Sequence, residues 1–470
     1  MSYQMRLKQT VVVHAQTDDL LLVGRNQNVM RLTKPGNALR SLLTQLTAGG
    51  MTADELIEMA VGDEFQADIT RLYYTLASFE KKGFVCYDLV REGRTLMTLE
   101  PISPAFCFEL NADVAVSSGQ WRLSRFACLR REAEAMLVES PLGHARLVLH
   151  DSRLCALIGI LAMPHDIAAL AVALPMFTPE LLQASLVLLR NAGLVFPCDA
   201  QGRIAEETDA NLPLWKFHDL LFHSRSRLGS HEYATGGTFH FKDVLPHATA
   251  LKAPMSDQRT ALYRPVEERV GPDFFTVLET RRSRRTRGEI PLTLNQLGEF
   301  LWRTARVQAH MPADPLKAGS YEATLRPYPS GGAAHELELY LTVTRCAGLA
   351  SGLYHYNPLA HDLERLSGLE EKQQSMLQDA MRAAMLEQPP DVLITLAARF
   401  GRVMWKYEGL AYALTQKHAG CLYQQMYLVA TALGLAPCGL GRGNSDTFAE
   451  ATKIDYFEET SVGEFLLSAA

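Results

Sequence analysis

Residues 391–443 read DVLITLAARFGRVMWKYEGLAYALTQKHAGCLYQQMYLVATALGLAPCGLGRG. The apolar run from Asp391 to Ala397 predicts a strand, and about Glu408 to Gly434 reads as one long helix. A further strand pattern at Glu338 to Thr344, within alternating helical and strand segments from Phe274 onward, makes this half an α+β or α/β domain. The glycines at 439, 441 and 443 come after the helix. A dinucleotide fingerprint needs its G-x-G-x-x-G turn between a strand and a following helix, so a nicotinamide-binding domain is unsupported. Walker, HExxH and GxSxG motifs do not occur.

At 470 residues the chain exceeds one ordinary core, and two to four domains are expected. With 47% hydrophobic and 21% charged residues it has the composition of a globular protein able to bury a large core. A net charge of -6 gives no general attraction for nucleic acid or an anionic membrane. The eight cysteines are scattered without a CxxC pair or a histidine at zinc-ligand spacing. They read as buried thiols of a reducing cytoplasm, and no metal site is expected. The start, MSYQMRLKQT, lacks the pattern of a signal peptide. The most apolar window, Leu154 to Phe177, holds Pro164, His165 and Asp166 at its centre, which makes it a core segment rather than a membrane span.

The first half repeats itself. Leu76, Phe79, Gly83, Phe84 and Val85 return as Leu186, Leu189, Gly193, Leu194 and Val195, at a constant offset of 110 positions. Each copy reads as an amphipathic helix stopped by glycine and followed by a strand. Upstream lie apolar-periodic stretches at Leu39 to Leu46 and Leu154 to Leu161, followed by the helix starts Thr52-Ala53-Asp54-Glu55 and Pro164-His165-Asp166. Candidate strands at Gln9 to Ala15 and Leu20 to Val23 precede the first copy. Two winged-helix-like modules, 1–100 and 101–205, are expected. Their candidate recognition helices are mainly apolar, which argues against nucleic acid as partner. After the polar stretch Asp199 to Asn211, the segment Trp215 to Thr238 is dense in His, Arg and Gly. It is either a connector wrapping a second domain or a surface loop.

Three segments could carry chemistry. Arg281, Arg282, Arg284, Arg285 and Arg287 place five guanidinium groups in seven positions, with Ser283 and Thr286 between them. Such groups grip phosphate by paired, charge-assisted hydrogen bonds, although a solvated basic face would look the same. Pro329-Ser330-Gly331-Gly332 is a stiff turn whose glycines would let the backbone approach a flat ligand, or simply an ordinary turn. Trp405-Lys406-Tyr407 sits at an element boundary. Lys and Tyr titrate near 10, so either is a base at neutral pH only where burial or a neighbouring cation lowers its pKa.

Taken in order, RRSRR, PYPSGGAAHELELYL, GLYHYNP, WKY, HAGCLYQQ and GLGRG resemble the SagB/ThcOx-type dehydrogenases of the nitroreductase-like FMN superfamily, over about residues 215–467. The first half is similar to the tandem winged-helix modules of longer members, the cyanobactin oxidases, which resemble precursor-peptide recognition elements.

The resemblance implies an α+β nitroreductase-like FMN domain at 271–470, with a mixed central sheet flanked by helices, in an intertwined homodimer. A connector at 206–270 would wrap it. Arg281, Arg282, Ser283 and Arg285 would hold the FMN phosphate and nearby groups. Pro329, Ser330 and Gly331 would reach the flavin from the partner subunit, Gly439, Leu440 and Gly441 would lie by its ring, and Lys406 and Tyr407 would be the catalytic pair. The basic residues that nitroreductases place downstream of Val462-Gly463 have no counterpart here. The implied reaction is oxidation of thiazoline or oxazoline rings in a ribosomally made precursor peptide to thiazole or oxazole. Hydride goes to flavin N5 and a proton to Lys or Tyr, with oxygen regenerating the flavin. The leader would add as a strand to a sheet edge of the N-terminal modules, unless these only brace the dimer. A cyclodehydratase is a further expected partner. The competing expectations are a nitroreductase driven by NAD(P)H and a non-catalytic docking member of a heterocycle-forming complex.

Overall fold

The computed structural model describes residues 2–24, 28–61, 69–109, 119–265, 271–317 and 319–470. The end of the expected connector, 266–270, lies outside the described residues. The chain forms two compact units, Met1–Thr235 and Gly236–Ala470, so the expected connector is divided between them.

In the first unit, helices Asn37–Ala48, Ala53–Val61 and Ile69–Lys81 lead into a hairpin of Val85–Arg91 and Arg94–Pro101. The first helix buries Leu39, Leu42, Leu43 and Leu46, the one-sided spacing of a core-facing helix. Thr52 and Glu55 cap the second reciprocally, through Glu55 N–H to Thr52 Oγ1 and Thr52 N–H to the Glu55 carboxylate. Gly83, at φ 65°, turns the chain so that Phe84 N–H reaches the Phe79 carbonyl at 2.9 Å. The same device recurs at Gly193, at φ 68°, where Leu194 N–H reaches Leu189 at 2.9 Å after helix Pro179–Asn191. The repeated text is therefore a repeated turn. Helices Leu154–Ile160 and Ile167–Ala173 occupy the apolar window and bury Leu154, Leu157, Ile158 and Leu170.

No break falls at 100/101. One seven-stranded sheet runs Met51–Thr52, Ser2–Leu7, Val85–Arg91, Arg94–Pro101, Ala145–Leu149, Ala135–Glu139, Cys128–Glu132. The outer edge of the first hairpin would otherwise expose unpaired backbone, and Ala145–Leu149 closes it with Leu147 opposite Leu99. The short strand Val195–Pro197 stays outside this sheet, paired with Trp121–Leu123.

The second unit centres on a sheet ordered Arg259–Ala261, Asp362–Ser367, Gly352–Asn357, Leu337–Val343, Val392–Arg399, Glu459–Ala469, Leu435–Leu440. Every neighbouring pair is antiparallel, which corrects the expected mixed sheet. Val392–Arg399 and Leu435–Leu440 run the same way, joined through the long helix Ala411–Ala432. The last strand is inserted between them and pairs antiparallel with both.

Helices cover both faces. Leu337, Leu339, Leu341, Ile394 and Leu396 pack with Phe300 of helix Leu294–Ala305 and with Leu422 and Met426 of the long helix. Tyr340, Leu393 and Leu466 pack with Met376 and Leu377 of helix Glu371–Ala384 and with Phe448 of helix Ser445–Thr452. Successive strand residues thus alternate between two cores, as the two-residue side-chain period requires.

Of the eight cysteines expected as buried thiols, Cys86, Cys346 and Cys438 are buried, whereas Cys107 and Cys421 are exposed; all eight are free. Among the described residues no helix is long and apolar enough to cross a membrane, and no group of three His, Cys, Asp or Glu is placed to hold a metal ion.

Asp391 ties distant segments together at one end of this sheet. Its carboxylate accepts from the N–H groups of Leu292 and Ala469, both at 3.0 Å, and from Arg345 Nε at 2.8 Å, with no exposure to solvent. Asp391→Ala would leave those two buried backbone donors and Arg345 Nε without their carboxylate. Its expected cost is about 3–5 kcal/mol of unfolding free energy, measurable by chemical denaturation.

Candidate functional site

Lys406 and Tyr407 follow the short helix Gly401–Met404, and Tyr407–Glu408 pairs with Gly236–Gly237. Lys406 Nζ donates to Tyr321 Oη at 2.7 Å. It lies 4.8 Å from the centroid of the Tyr321 ring, 5.0 Å from Tyr407 and 5.2 Å from Phe239, a cation among three aromatic rings. Tyr321 Oη in turn donates to the Gly332 carbonyl at 2.6 Å.

Gly332 adopts φ 62°, and a Cβ there would sit 2.6 Å from Lys406 Nζ, 2.7 Å from Tyr321 Oη and 2.8 Å from Tyr407 Oη. Only glycine lets the three polar groups converge on this turn. The turn is also held from behind, because Gly331 N–H donates to His418 Nε2 at 2.7 Å and His418 Nδ1 bonds Glu336 at 2.7 Å. The structure therefore brings the Ser330–Gly332 turn and the Lys-Tyr pair together. Ser330 Oγ is occupied within the turn, accepting from His335 N–H at 2.9 Å, and Pro329 is exposed.

The lowered pKa that would make Lys406 a base is not found. Burial pulls it down, but the Tyr321 hydrogen bond and the Tyr321 and Tyr407 phenols outweigh that, and the net direction is up. Lys406 is an ammonium group at neutral pH.

The other sequence-marked residues form a second cluster. After helix Phe274–Thr280, the arginine segment lies along strand Leu435–Leu440, with Arg284 N–H on the Pro437 carbonyl at 2.8 Å. Tyr427 joins the two: its hydroxyl bonds Ser283 Oγ at 2.8 Å and accepts from Gly439 N–H at 2.7 Å, while the Arg281 guanidinium stands 5.3 Å from its ring centroid. The Gly439 amide is thus occupied rather than exposed. Leu440 is buried in the strand. Arg282 folds back on the carbonyls of Glu279 and Arg281, both at 2.8 Å, and Arg285 bears on the buried Cys438 thiol.

Beyond the strand, Gly441, Arg442 and Gly443 line a cavity of about 440 Å³ together with Tyr412, Tyr423 and Glu464. A Cβ at Gly441 would meet nothing within 4 Å, whereas one at Gly443 would collide with the Glu464 carboxyl. Tyr412, Gln416, Gly420 and Tyr423 face this cavity from the long helix. Leu414 and His418 of the same helix touch Gly331 instead. Successive helical residues turn by about 100°, so within one chain the helix presents opposite faces to the two clusters.

Sequence reading missed Tyr321, Phe239, Tyr427 and Glu464. Tyr423 and Tyr427 could have been found, since they lie four residues apart and share one face of the predicted helix. Tyr321 carried no local signal.

Three family models match successive parts of the chain: the ThcOx helix turn helix domain over 1–110, the cyanobactin oxidase ThcOx over 121–232 and the nitroreductase family over 278–464. The chain is 30% identical over 178 residues to "Putative nitroreductase MJ1384" of Methanocaldococcus jannaschii, covering 38% of this chain and 83% of that protein. It is 34% identical over 113 residues to the trifolitoxin-processing protein TfxB of Rhizobium leguminosarum bv. trifolii, covering 23% of this chain and 30% of that one. It is 30% identical over 116 residues to the microcin B17-processing protein McbC of Escherichia coli, covering 23% of this chain and 42% of that one. The last two matches span less than half of the relatives' own length.

Burial pushes the Glu464 carboxyl up to about 7, against an ordinary 4.5, with only partial relief from Ser461. Its pKa is raised on folding, so its favourable contribution is complete below the unfolded value and is lost as pH rises through the folded one. Glu464→Gln should match the parent in thermal denaturation at about pH 4, below the unfolded value. At about pH 8.5 it should be the more stable by on the order of 3 kcal/mol.

Proposed function

The chain belongs to the nitroreductase family as a ThcOx-type member, and on that premise we propose that it is an FMN-dependent dehydrogenase that oxidises azoline rings in a ribosomally made precursor peptide to azoles. The observation that carries this reading is the Lys406–Tyr407 pair gathered on the glycine turn at Gly332.

The residues present fit FMN. Gly441 leaves its backbone open beside a cavity walled by Tyr412 and Tyr423, of a size suited to a planar cofactor. Arg281, Arg282 and Arg285, with Ser283, offer charge-assisted hydrogen bonds for its phosphate. When bound, FMN supplies the acceptor for the hydride that aromatisation of a thiazoline or oxazoline releases. The second hydrogen leaves as a proton, and handling it is the work of Lys406 and Tyr407. The two clusters lie on opposite faces of one helix, which supports a homodimer whose sites draw on both chains. Exposed Phe274, Phe275 and Leu278 on one short helix offer apolar surface for such an association.

The peptide's leader is assigned to the first unit, whose three-stranded sheet ends on the strands Val12–Gln16 and Val29–Leu32. An extended peptide would add to such an edge by main-chain hydrogen bonds. A cyclodehydratase would supply the ring. The names of the trifolitoxin-processing and microcin B17-processing relatives support a peptide substrate.

Anaerobic mixing with a thiazoline-containing peptide should bleach the flavin and lower the peptide mass by about 2 Da, the two hydrogens removed. Rapid bleaching by NAD(P)H, with none by the peptide, would favour a nitroreductase instead. Lys406→Ala and Tyr407→Phe should stay yellow but lose at least about 100-fold in turnover, and unchanged rates in both would remove the pair from the mechanism. A labelled leader should bind the full-length protein with saturation, and its failure to bind up to high micromolar would confine the first unit to a bracing role.

A further inference from the structure

Lys406 is a cation held by phenols and ring faces: the groups that raise its pKa are Tyr321 and Tyr407. Tyr321 uses both sides of its hydroxyl, accepting from Lys406 at 2.7 Å and donating to the Gly332 carbonyl at 2.6 Å. Its proton is therefore committed to the backbone. Phe239 closes another side of the ammonium group, and its own N–H donates to the Lys406 carbonyl at 3.0 Å. Phe239 lies outside every stretch matched by a family model.

The surrounding charges do not compete for this position. Glu408 turns to Thr238 Oγ1 at 3.0 Å and approaches His240 at 3.9 Å. His247 stands 4.9 Å from the Tyr321 ring, and burial beside Arg402 pushes it down to about 4, so it is neutral. Arg402 itself is engaged with the carbonyls of Ala248, Glu322 and Ala334. Glu322 bonds His310 and the Ala250 N–H.

We propose that Tyr321 is a positioning residue for the oxidation: with Phe239 it fixes Lys406 as a cation at Gly332, so that Tyr407 and not Lys406 is the group that receives the substrate's proton. The inference rests on the reading of Lys406 and Tyr407 as the catalytic pair. The balance is complete with the acceptor already named. With FMN bound, one ring C–H bond would give up hydrogen with both electrons to it, and the neighbouring C–H would give its proton to the Tyr407 oxygen, which this step requires to be deprotonated. The electron pair left behind becomes the new ring double bond. Lys406 neither gains nor loses a proton in this step.

Two measurements on the FMN-loaded full chain test this. In the first, the pH dependence of acylation at Lys406 by an amine-selective reagent is followed by peptide mass spectrometry, which needs no substrate. Tyr321→Phe keeps the ring but removes the hydroxyl, so it should shift the labelling midpoint to lower pH and raise the labelling rate severalfold at mildly alkaline pH. Phe239→Leu should move it the same way by less. In the second, Tyr321→Phe should lower kcat at least about tenfold with KM unchanged, and bring the alkaline fall in rate to lower pH. A wild-type labelling profile and wild-type kcat in Tyr321→Phe would overturn the proposal. So would wild-type Lys406 labelling with the ordinary midpoint of an exposed lysine. Wild-type turnover by both Lys406→Ala and Tyr407→Phe would instead overturn the underlying assignment of the pair, a distinct result.

Discussion

The final strand, Glu459–Ala469, constrains the rest of the catalytic unit. It is inserted between two parallel strands that the long helix already joins, and it is hydrogen-bonded along both edges. Because it is buried on both faces, its side chains serve both cores, with Phe465 on one side and Leu466 on the other. It fixes the distance between the strand that leads to Lys406 and the strand that leads to Gly441. It also places Glu464 opposite Leu440, at the wall of the cavity beside the glycine turn.

Two kinds of polar site result, and they differ physically. At Gly332 a full positive charge is held through one phenol hydrogen bond and three ring faces. At Gly443 a carboxyl is buried against backbone, and burial pushes its pKa up to about 7. In each case a glycine makes the close approach possible. The first arrangement suits handling of a proton next to a developing charge.

The two N-terminal repeats show how far periodic sequence carries. Gly83 and Gly193 make the same helix-ending turn, and their equivalence could be read directly from the 110-position offset. The sequence did not show that Arg94–Pro101 would recruit Ala145–Leu149 and merge both repeats into one sheet. Strand pairing depends on which edges remain unsatisfied once the chain is folded, and no local pattern records that.

The catalytic unit divides in the same way. Local sequence by itself determined the strand at Val392, the long helix, the stiff turn at Ser330–Gly332, the arginine run and the Lys406-Tyr407 pair, because each rests on residue types a few positions apart. Tertiary structure alone decided the antiparallel order, the upward direction of the Lys406 pKa, the partnership of Tyr427 with Ser283 and Gly439, and the raised pKa of the Glu464 carboxyl. These depend on contacts across long separations: Tyr321 and Lys406 are 85 positions apart, and Ser283 and Tyr427 are 144 apart. A pKa is set by burial and by the charges that folding brings near, so it belongs to the assembled site and not to any segment of the chain.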